Sequence, residues 1–319
     1  MTVNLTEKFK DNIVCKGLGI TYPIIQGGMI WVSGSKLAAT CSESGILGTI
    51  GAGSMTPEVL KEHILKAQKL TSKPIAVNIP LLYSRCQEQI EICLEHGVKT
   101  IITSAGSPKK FTTLIKNAGP KVLHVTSNPL LAKKCEDAGV DMVIAEGFEA
   151  GGHNGRDELT TMVLIPQVRK AVSIPVIAAG GIGSGQSIMA ALCLGADGVQ
   201  IGSLFAAAVE SSAHDQFKKK ITEAGYDSTR LMLKNLVPVR LLENNFSKKV
   251  ALLEQNGASE AELKELLGKG RSKLGMFDGN MEEGELEIGQ IACSIDRVSR
   301  VSEIVGTLLS ELGSSLMRL

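Results

Sequence analysis

Asp141-Met142-Val143-Ile144-Ala145-Glu146-Gly147-Phe148-Glu149-Ala150-Gly151-Gly152-His153-Asn154-Gly155 begins with a short apolar run. The run reads as a buried strand. It ends in a carboxylate, and a Gly-Gly pair and a histidine follow. Glycines carry no Cβ, so the backbone of such a turn can approach a flat ligand closely. Histidine has the unperturbed pKa nearest neutrality and suits proton transfer. A tight strand-to-helix turn with a solvated histidine is the plainer reading of the same residues.

Outward from this stretch, similar short runs recur with helical patterns between them. Strands are expected near Pro23-Gln26, Leu47-Ile50, Ile75-Ile79, Thr100-Thr103, Val122-Val125, Met142-Ala145, Val176-Ala179 and Gly198-Ile201. Helices are expected over Pro57-Leu70, Gln87-His96, Pro108-Ala118, Asn128-Ala138, Met162-Ala171 and Gly185-Leu194. Strands that alternate with helices point to a parallel sheet. Their unbroken apolar character fits burial on both faces. Eight such units in the first two-thirds of the chain fit an α/β fold of the closed (β/α)8 TIM-barrel kind. A doubly wound open sheet is the competing architecture. Gly97, Gly119, Gly139 and Gly195 each follow a helical stretch and are read as C-caps.

After Ser203 the pattern changes. Residues 1–210 are assigned to the barrel. Residues 211–287 read as a charged, mostly helical lid, with Lys248-Gly268 as one or two amphipathic helices broken at Asn256-Gly257. Met276-Glu285 reads as a Gly- and acid-rich loop. Residues 288–319 read as a terminal helix that returns to the barrel wall.

Composition narrows the function. The chain has 319 residues, a net charge of +1 and only 3% aromatic residues. Neither a nucleic-acid footprint nor an anionic-membrane footprint is expected. The N-terminal residues carry no signal-peptide pattern, and no apolar window is long enough to span a membrane. The seven cysteines are scattered without a C-x-x-C pair, which suggests reduced thiols and a cytoplasmic location. No Cys/His cluster has zinc-ligand spacing, so no metal is expected.

In a parallel barrel, chemistry gathers where the strands end. Those ends carry Gln26-Gly27-Gly28-Met29, Asn78, Ser104-Ala105-Gly106, Glu146 to His153, Gly180-Gly181-Ile182 and Gln200-Ile201-Gly202-Ser203. The loops after the seventh and eighth strands, with Gly180, Gly181, Gly202 and Ser203, stand where such barrels often hold phosphate. Asn78 can donate and accept, as the edge of a heteroaromatic ring requires, or it can be a turn residue before Pro80. Gln200 can reach a ligand or bond the neighbouring backbone. Met29 can lie on a ring or fill a core gap. His63 and His96 are read as surface residues, His124 as a satisfied core histidine, and His214 as part of the mouth of the site.

These residues, above all the E-A-G-G-H-x-G motif, resemble the flavin-dependent nitronate monooxygenase superfamily. Within it the chain is most similar to the flavin-type enoyl-acyl carrier protein reductase II, on Trp31-Val32, Glu146-Gly147 and Thr160-Thr161-Met162. Arg156-Asp157-Glu158-Leu159 lengthens the loop that borders the acyl pocket relative to that form. The resemblance implies FMN across the barrel mouth, with its phosphate at Gly180, Gly181, Gly202 and Ser203. It places Gly28, Met29, Asn78, Glu146, Gly151, Gly152 and Gln200 around the ring and ribityl chain. It further implies NADH or NADPH as hydride donor, an acyl carrier protein or other acyl thioester as substrate, and a homodimer. His153 would bind the thioester carbonyl or protonate the enolate. Nitronate oxidation with FMN and oxygen is the alternative, with His153 as base. A flavin-free phosphate-binding lyase or isomerase and a non-catalytic flavin binder are further alternatives.

Overall fold

The computed structural model describes residues 3–318; Met1, Thr2 and Leu319 lie outside the described residues. Eight parallel strands form the centre. They are β1 (Ile24–Gln26), β2 (Gly48–Gly51), β3 (Ile75–Pro80), β4 (Thr100–Ser104), β5 (Lys121–Thr126) and β6 (Met142–Glu146), then β8 (Val176–Ala179) and β9 (Gly198–Ile201). The two-residue strand β7 (Gly152–His153) belongs to a second sheet. The large sheet runs β1-β9-β8-β6-β5-β4-β3-β2. It closes through a parallel bridge between Ile25 and Leu47, so it is a (β/α)8 TIM barrel.

Alternation along the strands divides the core in two. Ile25, Leu47, Ala76, Ile102, Leu123, Met142, Ile144, Ile177 and Ala179 pack together inside the barrel. Their neighbours Ile24, Ile50, Val77, Ile101, Val122, Val143, Val176 and Val199 pack outward with the helices. A pleated strand sends successive side chains to opposite faces, so an apolar residue is needed at both parities. Gly97, Gly119, Gly139 and Gly195 all adopt positive φ, between 69° and 106°, as C-cap glycines do.

The expected helices are present with one change. Pro108-Ala118 is not continuous: a 3-10 turn (Pro108–Lys110) is separated from a short α-helix (Thr112–Asn117) by Phe111. Phe111 is buried, and its φ of −129° lies outside helical geometry. Helix Val301–Leu316 packs against helices Gly185–Cys193 and Ser35–Glu43, on the outer wall of the barrel. Glu311 ties it down by accepting the Gly185 N–H at 2.8 Å.

The segment 211–287 departs from the mostly helical expectation. It contains an antiparallel hairpin of β10 (Thr229–Met232) and β11 (Val239–Leu242), and β11 pairs with β7. The alternation in these strands is short and is masked by Arg230 and Arg240. Burial of one side comes from a partner distant in sequence. Helices Asn245–Gln255 and Glu260–Leu267 follow, broken at Asn256-Gly257 as expected. A π-helical turn (Lys273–Phe277) leads into the acid-rich loop, and Met276, Glu285 and the following Leu286 are buried. Among the described residues, no helix is long and apolar enough to cross a membrane. Of the seven cysteines, all free, Cys193 and Cys293 are exposed and the other five buried.

Candidate functional site

Strand geometry brings a ring of polar groups to the inner face at the barrel's C-terminal end. Thr49 stands two residues beyond Leu47, Asn78 two beyond Ala76, and Glu146 two beyond Ile144. By alternation each shares the inward face of its strand. In register, Glu146 lies beside Ala179, and Ala179 lies beside Gln200. The Thr49 hydroxyl and the Gln200 Oε1 are buried without a hydrogen-bond partner among the described residues. Buried polar atoms in a native protein are nearly always satisfied, so unpaired ones mark where a polar ligand fits. Burial raises the Glu146 carboxyl to about 7, which leaves it partly protonated at neutral pH and able to donate.

Gly28 packs tightly into this ring. A Cβ there would overlap Asn78 Cβ and lie 3.0 Å from Thr49 Cγ2. Its loop is fixed by Gln26, whose amide donates to the Gly27 carbonyl and to Ser33 and accepts from the Thr49 N–H at 2.9 Å. Met29 places its sulfur 3.5 Å from where a Cβ on Gly202 would stand. The structure therefore brings together Gly28, Met29, Asn78 and Gly202, with Gln200 and Glu146 on the same inner face.

The glycine loops divide differently from the sequence expectation. Gly180 and Gly181 both adopt positive φ, 91° and 67°. Gly180 lies against the Gly147 carbonyl and the Thr161 hydroxyl. The close neighbour of Gly181 is the Glu149 carboxylate, 3.4 Å from an added Cβ. Both Glu149 oxygens accept the Thr161 N–H at 3.0 Å, so this carboxylate caps helix Thr161–Ala171. The Ser203 hydroxyl accepts the Gly289 N–H at 2.9 Å, and Gln290 donates its N–H to the Glu149 carbonyl at 2.9 Å. Residues 149–151, 203 and 289–290 are thus knitted into one rim. Gly151 and Gly152 belong to that rim. A Cβ on Gly151 would overlap Ile288 and Gly289, and one on Gly152 would meet the Glu287 carboxylate at 2.5 Å. Their close neighbours are the 287–289 segment, not the Gly28–Asn78 ring.

His153 is held differently again. It sits opposite Val239 on β11, in a strand of two residues. Arg240, buried behind it, donates to the Phe148 carbonyl at 3.0 Å and stacks over the Phe148 ring at 5.2 Å. The His153 ring faces a cavity of about 280 Å³ walled by Leu233, Leu236, Val237, Val239 and Leu267, with Glu285 beside it. His153 keeps appreciable solvent exposure, but the surrounding atoms are dense enough to desolvate its cation. Desolvation lowers its pKa below the usual 6.5, and the Glu285 carboxylate pulls it partly back. The imidazole is therefore neutral at pH 7.

The other histidines lie elsewhere. His124 is buried and bonds the Thr103 hydroxyl at 2.7 Å, on the outward face with Val122. His63 and His96 are half-buried, not surface residues, and His63 accepts the Ser35 N–H at 3.0 Å. His214 caps the helix Asp215–Thr222 and packs on Gly279.

Sequence reasoning missed Glu149, Glu285, Glu287 and Arg240. The alternation Glu285-Leu286-Glu287-Ile288 was the available signal for a half-buried strand-like segment. Glu149 lay inside the quoted motif, in the position of a helix cap twelve residues before Thr161.

Comparison with known proteins agrees with this geometry. The model of the nitronate monooxygenase family matches residues 12–89 and 80–311. A probable nitronate monooxygenase from Staphylococcus saprophyticus is 32% identical, over 80% of this chain and 87% of its own. A 5-hydroxy-7a-methyl-1-oxo-octahydro-1H-indene-4-carboxyl-CoA dehydrogenase from Mycobacterium tuberculosis is 29% identical, over 92% of this chain and 93% of its own. The solved structure of FabK from Thermotoga maritima superposes with a TM-score of 0.91 at 38% identity, covering 96% of this chain and 97% of that one. The chain is thus an oxidoreductase by its relatives, and it belongs to the nitronate monooxygenase family.

Proposed function

We propose that the protein is an FMN-dependent enoyl-thioester reductase that uses NADH or NADPH, with an acyl carrier protein or another acyl thioester as substrate. The observation that carries this reading is the placement of His153 on a cavity of about 280 Å³ walled largely by leucine and valine. A cavity walled by leucine and valine suits an acyl chain, and a single imidazole suits the carbonyl next to it.

The residues fit the cofactor. The partnerless Thr49 hydroxyl and Gln200 amide, the Asn78 amide and the partly protonated Glu146 offer the mixed donors and acceptors that an isoalloxazine edge needs. Gly28 lets its loop pack directly on Asn78 and Thr49, where a Cβ would collide. Gly202 and Ser203, close to Gly181 along the same rim, would hold the phosphate. FMN, when bound, supplies hydride storage between nicotinamide and substrate.

The remaining steps belong to the chain. The walls of Leu233, Val239 and Leu267 exclude water from the acyl group. His153 donates a hydrogen bond to the thioester oxygen, where negative charge grows as hydride reaches the β-carbon. A donor fixed at that point stabilises the transition state more than the ground state. Arg240 and the β7–β11 pairing keep the ring aimed, because a small misplacement costs rate steeply.

One observation favours a second reading. A desolvated, neutral His153 is also a competent base, and the relative from S. saprophyticus is named a probable nitronate monooxygenase. In that chemistry His153 would hold or deprotonate a nitroalkane substrate.

Anaerobic stopped-flow separates the two. Bleaching of the bound flavin by NADH or NADPH, followed by recolouring with crotonyl thioester, supports the reductase. No bleaching by either nucleotide, with rapid bleaching by an alkyl nitronate, replaces it with the monooxygenase.

A further inference from the structure

Glu285 and Glu287 are two buried carboxyls that no step above uses. They alternate along an extended segment whose Glu287 bridges to Leu241 of β11. Residues two apart on such a segment share a face. Glu287 lies against Gly152, the residue before His153, and its Oε1 is buried without a partner. Glu285 lines the same cavity as His153 and is only 7% exposed. Two carboxyls placed this close resist carrying two charges at once. The nearby Arg271 offsets the rise of Glu285 only in part, and its guanidinium donates to the carbonyls of Leu266, Leu267 and Glu283.

We propose that Glu285 and Glu287 form a proton store for His153, holding at least one shared proton between them that reaches substrate through the imidazole. The proposal rests on the reductase reading for its chemistry. Neutral imidazole has one donor nitrogen and one acceptor nitrogen. The N–H bond that first stabilises the thioester oxygen breaks as its proton passes to the enolate left after hydride reaches the β-carbon. The acceptor nitrogen gains a proton that leaves the Glu285 carboxyl, which lines the same cavity. Solvent then reprotonates Glu285 through the cavity mouth. No imidazolate forms, and charge balances at each stage.

Burial pushes both carboxyls to about 7, and the Glu287 charge adds to the rise of Glu285, so the store is loaded at neutral pH. The other charged groups around His153 are few. Lys264 and Arg271 line the cavity from the helical side, and Arg240 lies behind β7, held on the Phe148 carbonyl with Glu149 and Glu158 as its charged neighbours.

The test is histidine NMR titration of the full-length protein, wild type, Glu285→Gln and Glu287→Gln. Five histidines make assignment of His153 practical. Removing Glu285 removes the attraction that raises the His153 midpoint, so the midpoint falls by about half a unit or more. Removing Glu287 lets Glu285 ionise earlier, so the His153 midpoint rises. In turnover, Glu285→Gln slows the enzyme about tenfold with bound flavin retained. Opposite shifts in the two variants are expected. Shifts of the same sign, or none in either, overturn the store. The titration needs no substrate, so failure of the reductase assay with opposite shifts intact would overturn the function and leave the cluster standing.

Discussion

Replacing Gly152 by alanine probes the two-residue strand on which His153 depends. Gly152 has φ of +76°, where an L-residue costs roughly 1–2 kcal/mol. The new methyl would also meet the Glu287 carboxylate at 2.5 Å, so the strand or the carboxylate must shift. Gly97 is the natural control. Its φ is +69°, and an added Cβ there meets nothing within 4 Å. Gly97→Ala therefore carries the backbone cost alone, whereas Gly152→Ala adds the collision. If the collision adds about 1 kcal/mol, the β7–β11 pairing in Gly152→Ala weakens by roughly 2–3 kcal/mol, or on the order of a hundredfold in its opening equilibrium. Hydrogen exchange read by mass spectrometry over peptides 148–156 and 236–243 reports that opening. Exchange there should accelerate strongly in Gly152→Ala and stay unchanged in Gly97→Ala. Equal exchange in wild type and Gly152→Ala would refute the claim that this glycine keeps β7 docked.

Other outcomes are expected at the site. His153→Ala should keep its flavin and lose about 10²–10⁴-fold in turnover; full activity would remove the imidazole from the mechanism. Ser203→Asp should lose flavin, because it sets a negative charge at the rim that Ser203 shares with Gly289, and flavin absorbance after purification reads the result. Glu146 gives a pH signature in the flavin-free protein. Its folded value of about 7 lies above the ordinary 4.5, so the folded state binds more protons between these values. Stability is therefore greatest below pH 4.5 for this group and falls as pH rises through 7, by up to about 3 kcal/mol. Glu146→Gln should flatten that slope in urea melts taken from pH 5 to 8, and an unchanged slope would place the dependence on other groups.

The barrel was legible because its strands are sandwiched between an inner core and a helix layer. Residues such as Val143-Ile144 must be apolar at both parities, which marks each strand locally. Asn78 and Gln200 stood out because a polar residue at the end of such a run is conspicuous. The second sheet left no comparable trace. Arg230 interrupts β10, and the charge of Arg240 hides that it is only 3% exposed. What buries Arg240 is Phe148, ninety-two positions earlier, and nothing local announces it. Glu285 and Glu287 were hidden the same way, in an acidic stretch that reads as solvated until its nonlocal neighbours are known. The glycine loops were half legible. Their glycines signalled a tight turn correctly, but Glu149 as the neighbour of Gly181 depends on a cap formed across the motif.

Helix Val301–Leu316 is the outer partner of the last barrel strand, yet the whole segment 211–287 comes between them in the chain. The barrel wall is thus fastened by a distant clasp: an added Cβ on Gly185 would overlap the backbone at Leu312, and Leu308 and Leu312 are buried. A protease cut at an exposed turn such as Asn256-Gly257 would then sever the chain without releasing either piece. The C-terminal fragment would stay latched to the N-terminal one, so gel filtration would show one species where denaturing electrophoresis shows two.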